Sequence, residues 1–264
     1  MAIQNQEYLS IISVYKALKW NLYKGIRKLV DLKTIFWMPR QNINMDKLFA
    51  DFEGKDFFFI QIGANDGITG DNLTRYIKKY NWKGILVEPV PFVFERLKIN
   101  YRDFSNLIFE NSAISTHTGF AKFYSIAERD LNNNNLFEHY NDFKIDQLSS
   151  FEKATLMKHT YMHPDFQNLI IETEIATLNI TDLLSKHNVE KIDLLQIDTE
   201  GFDFKLLISI DFHKVSPSIL IFEHQHMKQE DYKKLLNKLK KYGYKNYKYN
   251  WDTVSIKTIE CIGK

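Results

Sequence analysis

A single cysteine, Cys261, in 264 residues leaves no partner for an intramolecular disulfide and no thiolate set for a cysteine-based zinc site. That content fits a reducing compartment, and the chain is expected to be cytoplasmic. Charge of one sign is also missing. The 35 Lys and Arg stand against 33 Asp and Glu, a net charge of +2, so no overall field draws the chain to nucleic acid. No run approaches the roughly 18 uninterrupted apolar residues of a membrane-spanning helix. The opening MAIQNQEYLS lacks a positive n-region, a clean apolar run and a small-residue cleavage site, so no signal peptide is read there.

What is present suits a soluble α/β protein. Hydrophobic residues make up 44% and charged residues 26%, an ordinary balance, and the length allows one sizeable domain with an extension. Aromatic content is 14%, with 14 Tyr and 20 Phe. An aromatic core accounts for that, and flat faces for a carbohydrate are a second use.

Residues 1–50 are read as an N-terminal helical extension and residues 51–264 as the main domain. Over residues 6–31 apolar side chains from Tyr8 to Val30 recur every three or four positions, which predicts a helix. Its other face carries Lys16, Lys19, Lys24, Arg27 and Lys28. Two uses stand for it: packing on the main domain or on a second subunit of a homodimer, and peripheral contact with an anionic membrane. Residues 32–50 read as a connection, with Pro39 as a breaker.

From residue 55 strand-like runs alternate with helical periods. Strands are expected at 57–62, 84–88, 107–114, 119–126, 173–179, 192–197, 218–223, 244–249 and 253–258. Helices are expected at 72–80, 91–100, 150–159, 181–188 (capped by Thr181 or Asn179), 202–209 and 231–242. This alternation predicts a mostly parallel sheet covered on both faces, and the short link between the last two strands makes that pair antiparallel. The segment ERDLNNNN is a polar loop.

In such sheets ligands bind beyond the carboxyl ends of the strands. The first end is Gly63-Ala64-Asn65-Asp66-Gly67, a glycine turn ahead of a helix. The second is Glu88-Pro89, placed to accept hydrogen bonds from both ribose hydroxyls. Together they describe an adenosine site. A dinucleotide turn needs three glycines to admit a pyrophosphate. Here Asp66 would repel one and would suit the ammonium of an amino acid, as in S-adenosylmethionine. The third end, Glu110-Asn111-Ser112-Ala113, would then meet the adenine, with Asn111 or Ser112 near its exocyclic amine. Gln61, Pro89 and Ala113 flank these positions and are counted with them. The fourth end, IDLLQIDTEGFDFKLL, carries Asp198 and Glu200. The fifth, ILIFEHQHM, carries Glu223, His224 and His226.

The segments QIGANDG, LVEPVP, ENSAIS, QIDTEGFDFKLL and FEHQHM together resemble the FkbM-type S-adenosylmethionine-dependent methyltransferases, over roughly residues 55–258. The resemblance implies a class I methyltransferase (Rossmann-like) fold, a seven-stranded mostly parallel sheet with an antiparallel last strand and helices on both faces. It implies O-methylation of natural products or bacterial surface sugars. It puts Gly63, Asn65, Asp66 and Gly67 at the methionine end of the cofactor, Glu88 at the ribose, Ser112 by the adenine and Asp198 facing the methyl group.

An alcohol acceptor must lose a proton, and Asp198, Glu200, Glu223, His224 and His226 are the candidate bases, with His224 and Asp198 favoured. Alternatively Asp198 and Glu223 hold Mg²⁺, which would bind the acceptor hydroxyls. The helix at 6–31 and the loop at 127–170 would cover the acceptor, with His139, His159 and His163 in that loop. Competing readings are a nicotinamide-dependent oxidoreductase and a non-catalytic scaffold of the same fold.

Overall fold

The computed structural model describes residues 43–128, 145, 148–160 and 166–258. The helix expected at 6–31, most of the ERDLNNNN loop, His139 and His163 lie outside them. Among the described residues no helix is long and apolar enough to cross a membrane.

The segment read as a connection ends in a helix. α1 (Met45–Ala50) starts where the Asn44 side chain accepts a hydrogen bond from the Lys47 amide at 3.0 Å. Met45 and Phe49, four residues apart, are its buried face, and Phe49 packs on Tyr76 and Trp82 with ring centroids 4.6 and 5.0 Å away. This short amphipathic turn therefore belongs to the core of the main domain.

β1 (Phe58–Ile62), α2 (Thr74–Tyr80), β2 (Lys83–Val87), α3 (Pro91–Asn100) and β3 (Leu107–Glu110) follow in strand–helix alternation. Pro91 opens α3 at a position that needs no amide hydrogen. After β3 come β4 (Ala113–Ile114), β5 (Gly119–Ile126), β6 (Ser149–Ser150), α4 (Lys153–Met157), α5 (Phe166–Leu169) and β7 (Ile170–Leu178). The chain then returns to alternation with α6 (Ile180–Lys186), β8 (Leu194–Ile197), α7 (Asp203–Ser209), β9 (Ile219–Glu223), α8 (Gln229–Lys241), β10 (Tyr244–Tyr249) and β11 (Asp252–Lys257). Asn179, rather than Thr181, caps α6, its side chain accepting from the Asp182 amide at 2.9 Å.

The main sheet runs β10-β11-β9-β8-β1-β2-β3. All its pairings are parallel except those of β11, which lies antiparallel between β9 and β10. Seven strands and an antiparallel last strand are the architecture expected from the sequence. A second sheet, β4-β7-β5-β6, stands apart from it. The expected strand 107–114 is therefore two strands. Its first four residues are the edge of the main sheet and Ala113–Ile114 pair with β7 of the other. An apolar run specifies an extended backbone but not which neighbour each half finds.

Register aligns the strand ends. Ile62 pairs with Val87 and with Ile197, Ile197 pairs with Phe222, and Glu223 pairs with Asp252. One step along, Glu88, Gly63, Asp198, Glu223 and Asp252 form a row across five neighbouring strands. Side chains alternate along a strand, so all of them belong to one face of the sheet. The row beneath is Leu86, Gln61, Gln196, Ile221 and Val254. Below that the same face carries the apolar core of Phe59 and Leu194 with Phe49, Tyr76, Trp82 and Leu97. Each such side chain contributes about 1.5–3 kcal/mol on burial. Acids at the rim, two glutamines beneath and a dry core under both define the site.

Candidate active site

A cavity of about 180 Å³ opens over the carboxyl ends of β1, β2 and β8. A water needs only about 10–15 Å³ of such space, so the cavity has room for a ligand of many atoms. Its floor is Gln61 and Gln196. The loop after β1 forms one wall, and Ser112, Ala113, Phe123 and Phe151 from the region of the second sheet form another. Four carboxylates line it, those of Asp71, Glu88, Asp198 and Glu200, and among the described residues no lysine or arginine does.

The glycine turn is explained mostly from behind. Gly63 has φ +78°, and a β-carbon there would stand 1.8 Å from the carbonyl oxygen of Asp198. Gly67, at φ +69°, leaves no room for a β-carbon against the Tyr101 ring and Leu97 of α3. Both glycines are demanded by close packing, Gly63 against backbone and Gly67 against side chains. Asp66 is buried. Its Oδ1 accepts from the amides of Ile68 (3.0 Å) and Thr69 (2.7 Å), and its Oδ2 from the Thr69 hydroxyl (2.8 Å). It closes its own loop in the manner of an Asx turn. Asp66 and Gly67 do not line the cavity. Gly63 and Asn65 do, and so does Asp71, which the sequence did not single out. Burial raises the Asp71 pKa above the ordinary range, against hydrogen bonds from Gln61 and Leu73.

Asn65 adopts a left-handed conformation, φ +49°, that aims its amide at Glu88 Oε2 at 3.0 Å. The Val90 amide donates to Glu88 Oε1 at 2.8 Å. Two backbone donors thus fix the Glu88 carboxylate at the cavity wall. Asn111 sits behind it, its amide donating to the carbonyls of Glu88 and Pro89 at 2.9 and 3.2 Å, and does not line the cavity. Pro89, Ser112 and Ala113 do. Glu110 is held by Lys186 and His187 at 2.7 and 2.8 Å.

At the fourth end Asp198 faces the cavity. Burial, then the charge of Asp71, pushes its pKa up to about 6. Glu200 has φ +48° and its backbone carbonyl accepts from the Ser150 hydroxyl at 3.1 Å. Burial and the neighbouring Asp198 and Asp203 raise its pKa to about 8. Asp203, in the first turn of α7, takes the capping role in this loop. Its Oδ2 accepts from the Thr199 hydroxyl at 3.0 Å and the Gly201 amide at 3.3 Å.

At the fifth end the two histidines separate. His224 follows Glu223 and so points to the opposite face. There its ring stacks on Tyr232 at 5.2 Å, its Nδ1 lies 3.2 Å from the Thr253 hydroxyl, and burial drives its pKa down to about 4. As a favoured base it is therefore misplaced, because strand alternation carries it away from the acids. A turn closed by the Met227 amide on the His224 carbonyl brings His226 back. Its Nε2 is 3.6 Å from both Glu200 Oε2 and Glu223 Oε1. Among the described residues these three converge as possible metal ligands, whereas Asp198 with Glu223 does not form such a set. Glu223, pushed up to about 10 by burial and by Asp198, Glu200, Asp203 and Asp252, has a buried Oε2 with no hydrogen-bond partner among the described residues.

Sequence reasoning missed Asp71, Gln196 and Asp252. Gln196 had a signal: a polar residue in the otherwise apolar LLQI, one register partner from Gln61. The Oε1 atoms of both glutamines are buried with no hydrogen-bond partner among the described residues, as expected of acceptors held for a ligand's donors.

The family model for the methyltransferase FkbM domain matches residues 61–245. Among solved structures, methyltransferase FkbM from Methylobacillus flagellatus KT is similar at 14% identity and a TM-score of 0.41, over 76% of this chain and 43% of that one. This chain thus spans less than half of that protein's length. The METTL16 methyltransferase domain is similar at 10% identity and a TM-score of 0.44, over 81% of this chain and 67% of that one. Aeropyrum pernix fibrillarin, solved with natively bound S-adenosyl-L-methionine, is similar at 12% identity and a TM-score of 0.36, over 77% and 66%. No curated protein matches the chain. With the family model covering more than half of its residues, on a seven-stranded sheet whose last strand runs antiparallel, the chain belongs to the FkbM methyltransferase domain family and has the class I methyltransferase fold.

Proposed function

We propose that the protein uses S-adenosylmethionine to methylate a hydroxyl group of a glycan, a surface-polysaccharide precursor or a related natural product. The observation that carries this is the charge of the cavity: among the described residues, four lining carboxylates and no lysine or arginine. A ligand with a sulfonium and an ammonium suits such a wall, and a pyrophosphate does not. That preference speaks for S-adenosylmethionine over a nicotinamide dinucleotide.

Glu88 would take the ribose hydroxyls. Its carboxylate is oriented by the Asn65 and Val90 amides and fits a diol that donates two hydrogen bonds. The methyl group of a sulfonium is already activated. What remains for the chain is alignment and one proton. As the acceptor oxygen bonds to the methyl carbon and the sulfur–carbon bond breaks, the hydroxyl proton passes to a carboxylate. Asp198, with a pKa near 6, is poised to receive it at neutral pH. The rings of Phe123 and Phe151 meet edge-to-face at 5.2 Å in the cavity wall and offer flat surfaces to a sugar or a base.

Calorimetric titration of the purified protein with S-adenosylhomocysteine, and separately with NAD, tests this reading. Binding of the first alone is expected. Binding of neither would favour a non-catalytic scaffold, and binding of NAD alone would overturn the methyltransferase reading.

A further inference from the structure

We propose that Glu200, Glu223 and His226 form a binding site for one divalent first-row transition ion, such as manganese or zinc. In catalysis, which rests on the methyltransferase reading above, the ion would bind the acceptor hydroxyl and promote its deprotonation.

The spacing is the first support. His226 Nε2 lies 3.6 Å from a carboxylate oxygen of each glutamate, and the three candidate ligand atoms lie within 4.8 Å of one another. At 3.6 Å neither contact is a hydrogen bond. Two ligands each about 2.1 Å from a common ion, at a near-tetrahedral angle, stand about 3.4 Å apart. The separations therefore fit shared coordination better than direct pairing.

The second support is the unspent donor capacity. Glu223 Oε2 is buried and has no hydrogen-bond partner among the described residues. The neighbouring Asp198, Asp203 and Asp252 add like charge to that of Glu200. A buried carboxylate so placed either keeps a proton or is ionised beside a positive partner, and an ion would be that partner. Three separate elements supply the ligands: the loop after β8, the end of β9 and the turn that follows it. Glu200 also lines the cavity, so an ion held there would face the acceptor. Three protein ligands leave coordination positions open, as catalytic sites require. The imidazole sets the preference, since nitrogen ligands favour manganese and zinc over magnesium, which prefers oxygen. This departs from the Mg²⁺ site expected from the sequence at Asp198 and Glu223.

Protein freed of metal with EDTA and dialysed would be titrated calorimetrically with Mn²⁺, Zn²⁺ and Mg²⁺, and independently with S-adenosylhomocysteine. One Mn²⁺ or Zn²⁺ per chain is expected, with Mg²⁺ at least about tenfold weaker. His226→Ala and Glu223→Gln should each weaken Mn²⁺ binding by about tenfold or more. His226 is partly exposed, so its variant tests the site without emptying the core. No stoichiometric Mn²⁺ or Zn²⁺ binding to the wild type, or binding unchanged in both variants, would overturn the site, as would Mg²⁺ binding as tightly as Mn²⁺. If S-adenosylhomocysteine binds and the ions do not, the metal inference falls and the methyltransferase reading stands. If the ions bind and S-adenosylhomocysteine does not, the metal site stands without the function proposed for it.

Discussion

Gly63 and Asp198 lie so close that a β-carbon on the glycine would meet the Asp198 carbonyl oxygen at 1.8 Å. The contact is backbone to backbone, so no rotamer change can relieve it. It joins the turn after β1 to the carbonyl of the residue that faces the cavity from β8.

Gly63→Ala should therefore destabilise the fold by about 4 kcal/mol or more, since it adds a steric clash to an unfavourable positive φ. Urea unfolding followed by circular dichroism measures this. A midpoint equal to wild type would mean that the strand ends can part freely.

Glu88→Ala removes the carboxylate assigned to the ribose. Each charged hydrogen bond lost there costs roughly 1.5–3 kcal/mol at most. Affinity for S-adenosylhomocysteine should fall accordingly, measured by calorimetry on protein whose unfolding curve shows it folded. Unchanged affinity would remove Glu88 from the cofactor site.

The two histidines should separate by phenotype. His224→Ala opens a gap beside Tyr232 and takes one of two hydrogen-bond partners from the Thr253 hydroxyl, which keeps Tyr232 at 2.7 Å, at a cost of about 1–3 kcal/mol, while turnover of the folded protein changes little. His226→Ala should lower turnover by about tenfold or more, through loss of a ligand to the proposed ion, with little change in stability. The reverse pattern would restore His224 as the base.

Stability in EDTA should fall as pH rises from 6 to 9. Asp198, Glu200, Glu223 and Asp252 all have pKa values raised in the folded state, by burial first and by neighbouring acids second. The native protein keeps protons that the unfolded chain has already released, so these groups favour folding at low pH and lose that contribution as pH climbs through their native values. His224 acts in the opposite sense, but only as pH falls below its ordinary value of 6.5 toward about 4. Glu223→Gln removes a group that keeps its proton in the folded state after the unfolded chain has lost it. At pH 8 in EDTA it should be more stable than wild type by about 1 kcal/mol, a melting shift of about 2–4 °C. A wild-type melting temperature that is flat or rising from pH 6 to 9 would contradict the charge arrangement described.

Much of the fold was legible in the chain. Buried strands such as Phe58–Ile62 and Leu194–Ile197 are short, apolar and bounded by turn residues, and the helices between them carry their own start and stop residues, Pro91 and Asn179 among them. Local chemistry settles such features because it acts within a few residues. For the same reason the strand ends that carry Glu88, Asp198, Glu200 and Glu223 could be found, since polar residues following an apolar run mark the place where a sheet stops.

The tertiary structure decided what those residues face. Asp66 and Asp71 are equally acidic and lie in one loop, yet one is consumed by the amides of Ile68 and Thr69 and the other reaches the cavity. His224 and His226 differ by two positions in a turn, and only the path of that turn returns His226 to Glu200. Asp252 joins the acid row because β11 pairs antiparallel with β9, a pairing across the sheet that no local pattern encodes. The sequence by itself determined which segments extend, which coil and where charge gathers. Which of those charges meet was settled only by long-range strand register, where one residue of slip would turn every side chain to the other face.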